Sequence, residues 1–202
     1  MANTLIEGEG GGGDYDSFFG GIAAPPSTGW TWDNQGAATL TSGGGVESLE
    51  ALDTLFNIRS RVRSLPATPW TVRVLVHVIG GTVRSCGMCL RESGTGEIYR
   101  FGPGLSGSGL GGIGLFHNTS STGGTTSLVV SNTAPLGGYH WLEINDDGAL
   151  LTFSTVSPSG EVTELAQFSR TAHMAGGADQ FGFFVMGQNF QTRCELISMV
   201  VS

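Results

Sequence analysis

Cys86 and Cys89 form a C-x-x-C, the spacing used by zinc ligands and redox pairs. In a strand, residues three apart point to opposite faces. Two thiolates on opposite faces cannot share one zinc, and Cys194 is the only other cysteine. Buried free thiols are the expectation. Gly107-Ser108-Gly109-Leu110-Gly111-Gly112 matches G-x-G-x-x-G. A dinucleotide site needs a strand before that motif, a helix after it and an acidic residue about 20 positions on. No helical pattern follows, so the motif reads as a glycine loop. His77, His117, His140 and His173 show no metal spacing, and no serine sits in G-x-S-x-G. The arrangement with the most binding chemistry comes from strand parity. If Val72, Val74, Val76, Val78, Met88, Leu90, Tyr99 and Phe101 face a core, then Arg73, His77, Arg91 and Arg100 share the opposite face. Arginine and histidine donate hydrogen bonds to hydroxyls, and Trp141 or Phe184 could stack on a sugar ring. The competing reading is a plain solvated sheet face or a subunit contact.

Strands must position these residues. Thr71 to Ile79 alternates most clearly, with the valines on one face. Further strands are expected around Trp30–Trp32, Val46–Leu52, Leu55–Arg63, Cys86–Arg91, Glu97–Phe101, Gly112–Phe116 and Thr126–Ser131. The remainder are His140–Asn145, Leu150–Val156, Val162–Phe168, Phe181–Met186 and Cys194–Val201. Within Leu55–Arg63, the residues Arg59, Arg61 and Arg63 take the opposite parity to Val62. Asn145-Asp146-Asp147-Gly148 and Ser157-Pro158-Ser159-Gly160 are turn signals that bracket two successive hairpins. They predict an antiparallel meander over 141–168. Ser48 to Leu55 is the one stretch that reads as a helical turn or two.

Composition agrees with an all-β protein. The chain has 202 residues, 34 of them glycine, against a usual share of about 7%. Such a sequence is no coiled coil or helical bundle, and its glycines lack the collagen period. The length suits one sandwich or barrel. Net charge is −8, and all 9 positive residues are arginine, so neither nucleic acid nor an anionic membrane is an expected partner. No apolar run reaches the roughly 18–20 residues of a membrane helix, and no secretory signal pattern opens the chain. Residues 1–26 read as a separate arm: a glycine tether, then Tyr15, Phe18, Phe19 and Ile22, then Pro25 and Pro26. The arm is either a tether or strap on its own domain, or an anchor that orders on a partner. Residues 27–202 form the β-domain.

A succession of features points further. Pro66-Ala67-Thr68-Pro69-Trp70 enters the long aliphatic strand. Gly87-Met88-Cys89-Leu90-Arg91-Glu92 leads to Tyr99-Arg100-Phe101-Gly102, Trp141-Leu142-Glu143-Ile144-Asn145-Asp146-Asp147-Gly148 follows, and Gln180-Phe181-Gly182-Phe183-Phe184 precedes the last strand. Over about residues 28–202 this resembles the concanavalin A-like (laminin-G-like) jelly rolls of bacteriophage virion proteins. The resemblance implies an antiparallel two-sheet jelly-roll sandwich. It implies a virion accessory protein, decorating the head or forming a fibre or tail appendage, docked on other virion proteins through its arm or a subunit interface. It also implies assembly in the host bacterial cytoplasm and a homo-oligomer, with virion symmetry suggesting a trimer. The alternative reading is a carbohydrate- or receptor-binding adhesin that takes a host glycan on the concave face, at Arg73, His77, Arg91, Arg100 and Trp141. Glycosidases of the same fold place two carboxylates on one strand, about 5–5.5 Å apart for retention. Here Asn145 stands at the central acidic position and the terminal glutamate is missing, so no catalytic residue and no enzyme activity are expected. Lectin-type jelly rolls often hold calcium, to which Asp146, Asp147 or Asp179 would offer oxygens. No loop concentrates acidic ligands, so no cofactor and no metal site are expected. Asn118-Thr119-Ser120 is a sequon that reads as chance.

Overall fold

A computed structural model describes residues 23–52, 57–80, 84–105, 111–131, 138–187 and 191–202. The expected arm residues Tyr15, Phe18, Phe19 and Ile22, and most of the glycine loop at 107–112, lie outside the described residues. The described chain forms β1 (Thr31–Asp33), β2 (Thr39–Gly43), β3 (Val46–Leu52), β4 (Arg59–Ser64), β5 (Trp70–Gly80), β6 (Arg84–Arg91) and β7 (Ile98–Leu105). It continues with β8 (Gly111–Asn118), β9 (Thr125–Ser131), β10 (Tyr139–Asp146), β11 (Leu150–Val156), β12 (Val162–Ser169), β13 (Gln180–Gly187) and β14 (Gln191–Val201). Among the described residues no segment is helical. Of the two readings of residues 48–52, the strand at Val46–Leu52 forms as β3, whose Glu47, Leu49 and Ala51 all point inward, and the helical turn does not; residues 53–55 lie outside the described residues.

Two seven-stranded antiparallel sheets stack face to face. The first runs β1-β4-β13-β6-β7-β8-β9, the second β12-β11-β10-β5-β14-β3-β2. The meander β10-β11-β12 is one half of the second sheet. Its first hairpin turns at Gly148, whose φ of +97° suits a residue without Cβ. Asp147 fixes that turn by accepting the backbone N–H groups of Ala149 at 2.8 Å and Leu150 at 2.7 Å.

The core lies between the sheets. Val72, Val74, Val76 and Val78 of β5 meet Cys86, Met88 and Leu90 of β6 and Phe181, Phe183 and Val185 of β13. Phe153 is wholly buried, with its ring centre 5.8 Å from Tyr99 and 5.5 Å from Phe101, both edge-on. Burial of each such ring contributes on the order of 1.5–3 kcal/mol. Near the β1 edge the inner layer becomes polar. Arg59, Arg61 and Arg63 pair with Val185, Phe183 and Phe181 and so share their inward parity. Arg61 stacks 4.8 Å from the centre of Trp32 and Arg63 lies 5.6 Å from Trp30. Val62 of β4 and Ile58 just before it face the other way. There, with Cys89, Ile98 and Phe184, they make a second buried cluster on the outer face of the first sheet. Cys86 belongs to the main core, so the two cysteines of the C-x-x-C do lie on opposite faces. Burial pushes the Cys89 thiol well above its ordinary pKa, and Cys86, Cys89 and Cys194 are all free.

Candidate functional site

Outward-pointing residues of the second sheet form a polar lattice set by cross-strand register. One row runs Thr41, Ser48, Glu195, His77, Tyr139 across β2, β3, β14, β5 and β10. The next runs Thr39, Glu50, Arg193, Ile79. Both rows arise because alternate residues of a strand share a face. A groove of about 350 Å³ lies over their β2–β3–β14 end, lined by Thr39, Thr41, Ser48, Glu50, Arg193 and Glu195. Hydroxyls, carboxylates and a guanidinium in one groove can exchange hydrogen bonds with a polyhydroxylated ligand.

The row is electrostatically tied. His77 Nδ1 lies 3.2 Å from Glu195 Oε2, and Arg193 Nη2 lies 3.3 Å from Glu195 Oε1. Tyr139 stacks on His77 with ring centres 4.7 Å apart and remains 65% exposed. An aromatic ring held this far into solvent offers a face for stacking. Two rows along, Arg73 Nε donates to Glu143 Oε2 at 2.7 Å, and Arg73 Nη2 forms a second, shorter contact with the same oxygen. Trp141, half-buried, stands between them in register with Leu75.

The expected four-residue face is not one face. Arg73 and His77 lie on β5 in the second sheet, whereas Arg91 on β6 and Arg100 on β7 belong to the first. Each pair does point away from the core, as parity predicts. The chain crosses between sheets from β5 to β6, so the two pairs project from opposite sides of the sandwich. Trp141 joins Arg73 and His77. Arg91 pairs with Asp33 at 3.2 Å and donates to Gln180 Oε1 at 2.8 Å. Arg100 is buried. Thr39, Thr41, Ser48, Glu50, Arg193, Glu195 and Tyr139 were missed as site residues. The alternation of β14 marks Arg193 and Glu195 as outward, but only the register places them beside His77.

The acidic turn is occupied by the protein itself. Asp146 is buried, pairs with Arg170 Nε at 2.9 Å and accepts the Gly148 N–H at 2.9 Å. Asp147 closes the hairpin, and its backbone hydrogen bonds hold its pKa below the ordinary value. Asp179 accepts the Ser93 N–H at 2.8 Å and the Ser93 hydroxyl. Among the described residues no group of three or more His, Cys, Asp or Glu could hold a metal ion. Asn145, at the position where a second carboxylate would stand, donates to Thr71 Oγ1 at 2.8 Å. Asn118 of the sequon is buried and accepts a hydrogen bond from Arg100.

No protein-family model matches the chain, and no curated protein matches it. Solved structures do. A CBM2 module of the evolved Dit of Lactobacillus casei BL23 phage J-1 superposes with a TM-score of 0.56 at 13% identity, covering 86% of this chain and 92% of that one. The exoplasmic/lumenal domain of VIP36, in a form bound to Ca2+ and Man3GlcNAc, gives 0.58 at 12% identity over 89% of this chain and 88% of that one. The fold is the concanavalin A-like jelly roll. The Bacteroides ovatus xyloglucan-locus protein GH43B gives 0.60 at 14% identity over 90% of this chain. Our jelly roll spans only 38% of that chain.

Proposed function

We propose that the protein is a non-catalytic carbohydrate-binding jelly roll whose glycan site is the outer face of the second sheet. The observation that carries this is the row Thr41–Ser48–Glu195–His77–Tyr139, which sets hydroxyls, a carboxylate and an exposed ring beside a polar groove. Groove and ring together suit a sugar, which has hydroxyls on its rim and an apolar face of C–H bonds. The site carries Glu50 and Glu195 against Arg193, so it favours neutral sugars over acidic ones. Glu143 is neutralised by Arg73 and has Asn145 as its same-face neighbour, which supports binding without hydrolysis. The protein's own bonds to Asp146, Asp147 and Asp179 support binding without calcium.

A printed glycan array tests this. The wild-type chain is expected to bind neutral oligosaccharides. The double variant Tyr139→Ala, Glu195→Gln is expected to lose roughly tenfold or more of that binding. Equal binding by the variant would refute the assignment.

A second reading concerns where the module works. The similarity to a module of a phage Dit protein supports a place on a bacteriophage particle, as an accessory protein assembled in the bacterial cytoplasm. Three cysteines kept as free thiols are compatible with that compartment. Deleting residues 1–26 is expected to abolish incorporation into particles while leaving glycan binding unchanged. Incorporation of the truncated chain would contradict the anchoring role of the arm.

A further inference from the structure

The outer face of the first sheet holds a charged side chain that the second-sheet site does not use. Arg100 is 3% exposed. Its guanidinium carbon lies 4.8 Å from the centre of the Phe116 ring and 5.8 Å from that of Phe184. Its Nε donates to Asn118 Oδ1 at 2.8 Å, and Asn118 Nδ2 donates to Thr125 Oγ1 at 2.6 Å. The guanidinium plane is therefore fixed from two sides. Among the described residues no carboxylate pairs with Arg100, although Arg73, Arg91, Arg170 and Arg193 each have one. Burial, with no carboxylate to offset it, lowers the Arg100 pKa to about 10.

A cation taken out of water without a counter-charge is costly, and evolution removes it easily by an apolar replacement. Aromatic stacking recovers part of the loss. The remaining donors have a geometry of their own. Nη1 and Nη2 have no hydrogen-bond partner among the described residues, and neither is a sealed, unpaired atom. Their shared edge matches the two oxygens of a carboxylate. Next to it, half-buried Phe116 stands directly opposite exposed Ser127, and exposed Thr125 stands opposite Asn118. An apolar ring flanked by hydroxyls would be superfluous for a bare anion and suits a sugar.

We propose that Arg100 anchors a second binding site, on the outer face of the first sheet, for the carboxylate of an acidic sugar whose ring lies over Phe116. This site is independent of the one on the second sheet, and either assignment can fail alone.

Calorimetric titration of the full chain with sodium glucuronate, and separately with glucose, tests it, since the two sugars differ only at the acid group. Glucuronate is expected to bind and glucose to bind much more weakly. Arg100→Met is expected to weaken glucuronate binding by roughly 10–100-fold. Asn118→Ala keeps the charge but frees the guanidinium, and is expected to weaken glucuronate binding with the cation still present. Glu164→Gln, at an exposed position of β12 outside both sites, is expected to leave glucuronate binding unchanged. Failure of glucuronate to bind, equal binding to Arg100→Met, or acetate or tetraglutamate binding as tightly as glucuronate would overturn the proposal.

Discussion

On the outer face of the second sheet, Arg73 has Glu143 beside it, and His77 and Arg193 share Glu195. On the outer face of the first sheet, Arg100 sits between phenylalanine rings, and Ile58, Val62, Cys89, Ile98 and Phe184 form a buried cluster on the same face. Both faces come from the same strand geometry. One uses it to hold a solvated, charge-balanced lattice, the other to sequester apolar side chains and a single unbalanced cation. The contrast teaches that an outward parity does not specify an environment. What lies across the sheet decides whether an outward arginine is paired, stacked or hidden.

The contrast can be broken most strongly at its apolar end. Phe184→Ala empties a fully buried position in the outer cluster and is expected to cost about 3–5 kcal/mol in denaturant unfolding. Tyr139→Ala removes an equally large ring from the other face at 65% exposure, and is expected to cost no more than about 0.5 kcal/mol. Equal losses would mean the two faces do not differ as described. Next in size is the polar face. Glu143→Ala leaves Arg73 without its carboxylate in a pair whose side chains are only 19% and 12% exposed. About 1–2 kcal/mol is expected, less in high salt, as read from urea unfolding midpoints.

The strands were largely legible in the sequence because β5 and β10 alternate cleanly around buried valines, leucines and isoleucine, and β13 is a short continuous run of buried aromatic and aliphatic residues. β2 was not, because Thr-Leu-Thr-Ser-Gly at a sheet edge buries little. β3 matches the strand expected at Val46–Leu52, although the inward Glu47 blurs its period of two and leaves Ser48–Leu52 open to a helical reading as well. The arginines of β4 point inward because that strand lies near the sheet edge, where tryptophans can cover them. The candidate site was half legible. Parity correctly turned Arg73, His77, Arg91 and Arg100 outward. No local pattern says which sheet a strand joins, and β5 and β6, consecutive in sequence, belong to different sheets.

A smaller effect is expected from pH. His117 lies on β8, with its ring 5.6 Å from Tyr99 and 5.8 Å from His173. Burial holds its pKa below the ordinary 6.5, with Glu97 opposing the shift and His173 adding to it. A depressed histidine pKa contributes stability that is complete above about pH 6.5 and is lost as the pH falls through the lower folded value. Thermal unfolding should therefore weaken on acidification from pH 7 to 5, and His117→Gln should flatten that slope. Unchanged slopes would remove His117 as the cause. The smallest expected effect is that of EDTA, which should leave both the Tm and neutral-glycan binding unaltered, because Asp146, Asp147 and Asp179 already have protein partners.

The central claim, a glycan site on the outer face of the second sheet, is tested most directly by an amide NMR titration with the neutral oligosaccharide that binds best on the array. Shifts are expected to cluster at Thr39, Thr41, Ser48, Glu50, Arg193, Glu195, His77 and Tyr139, with the Phe184 cluster silent. Shifts confined to the first sheet, or to the loops at the ends of the sandwich, would contradict it.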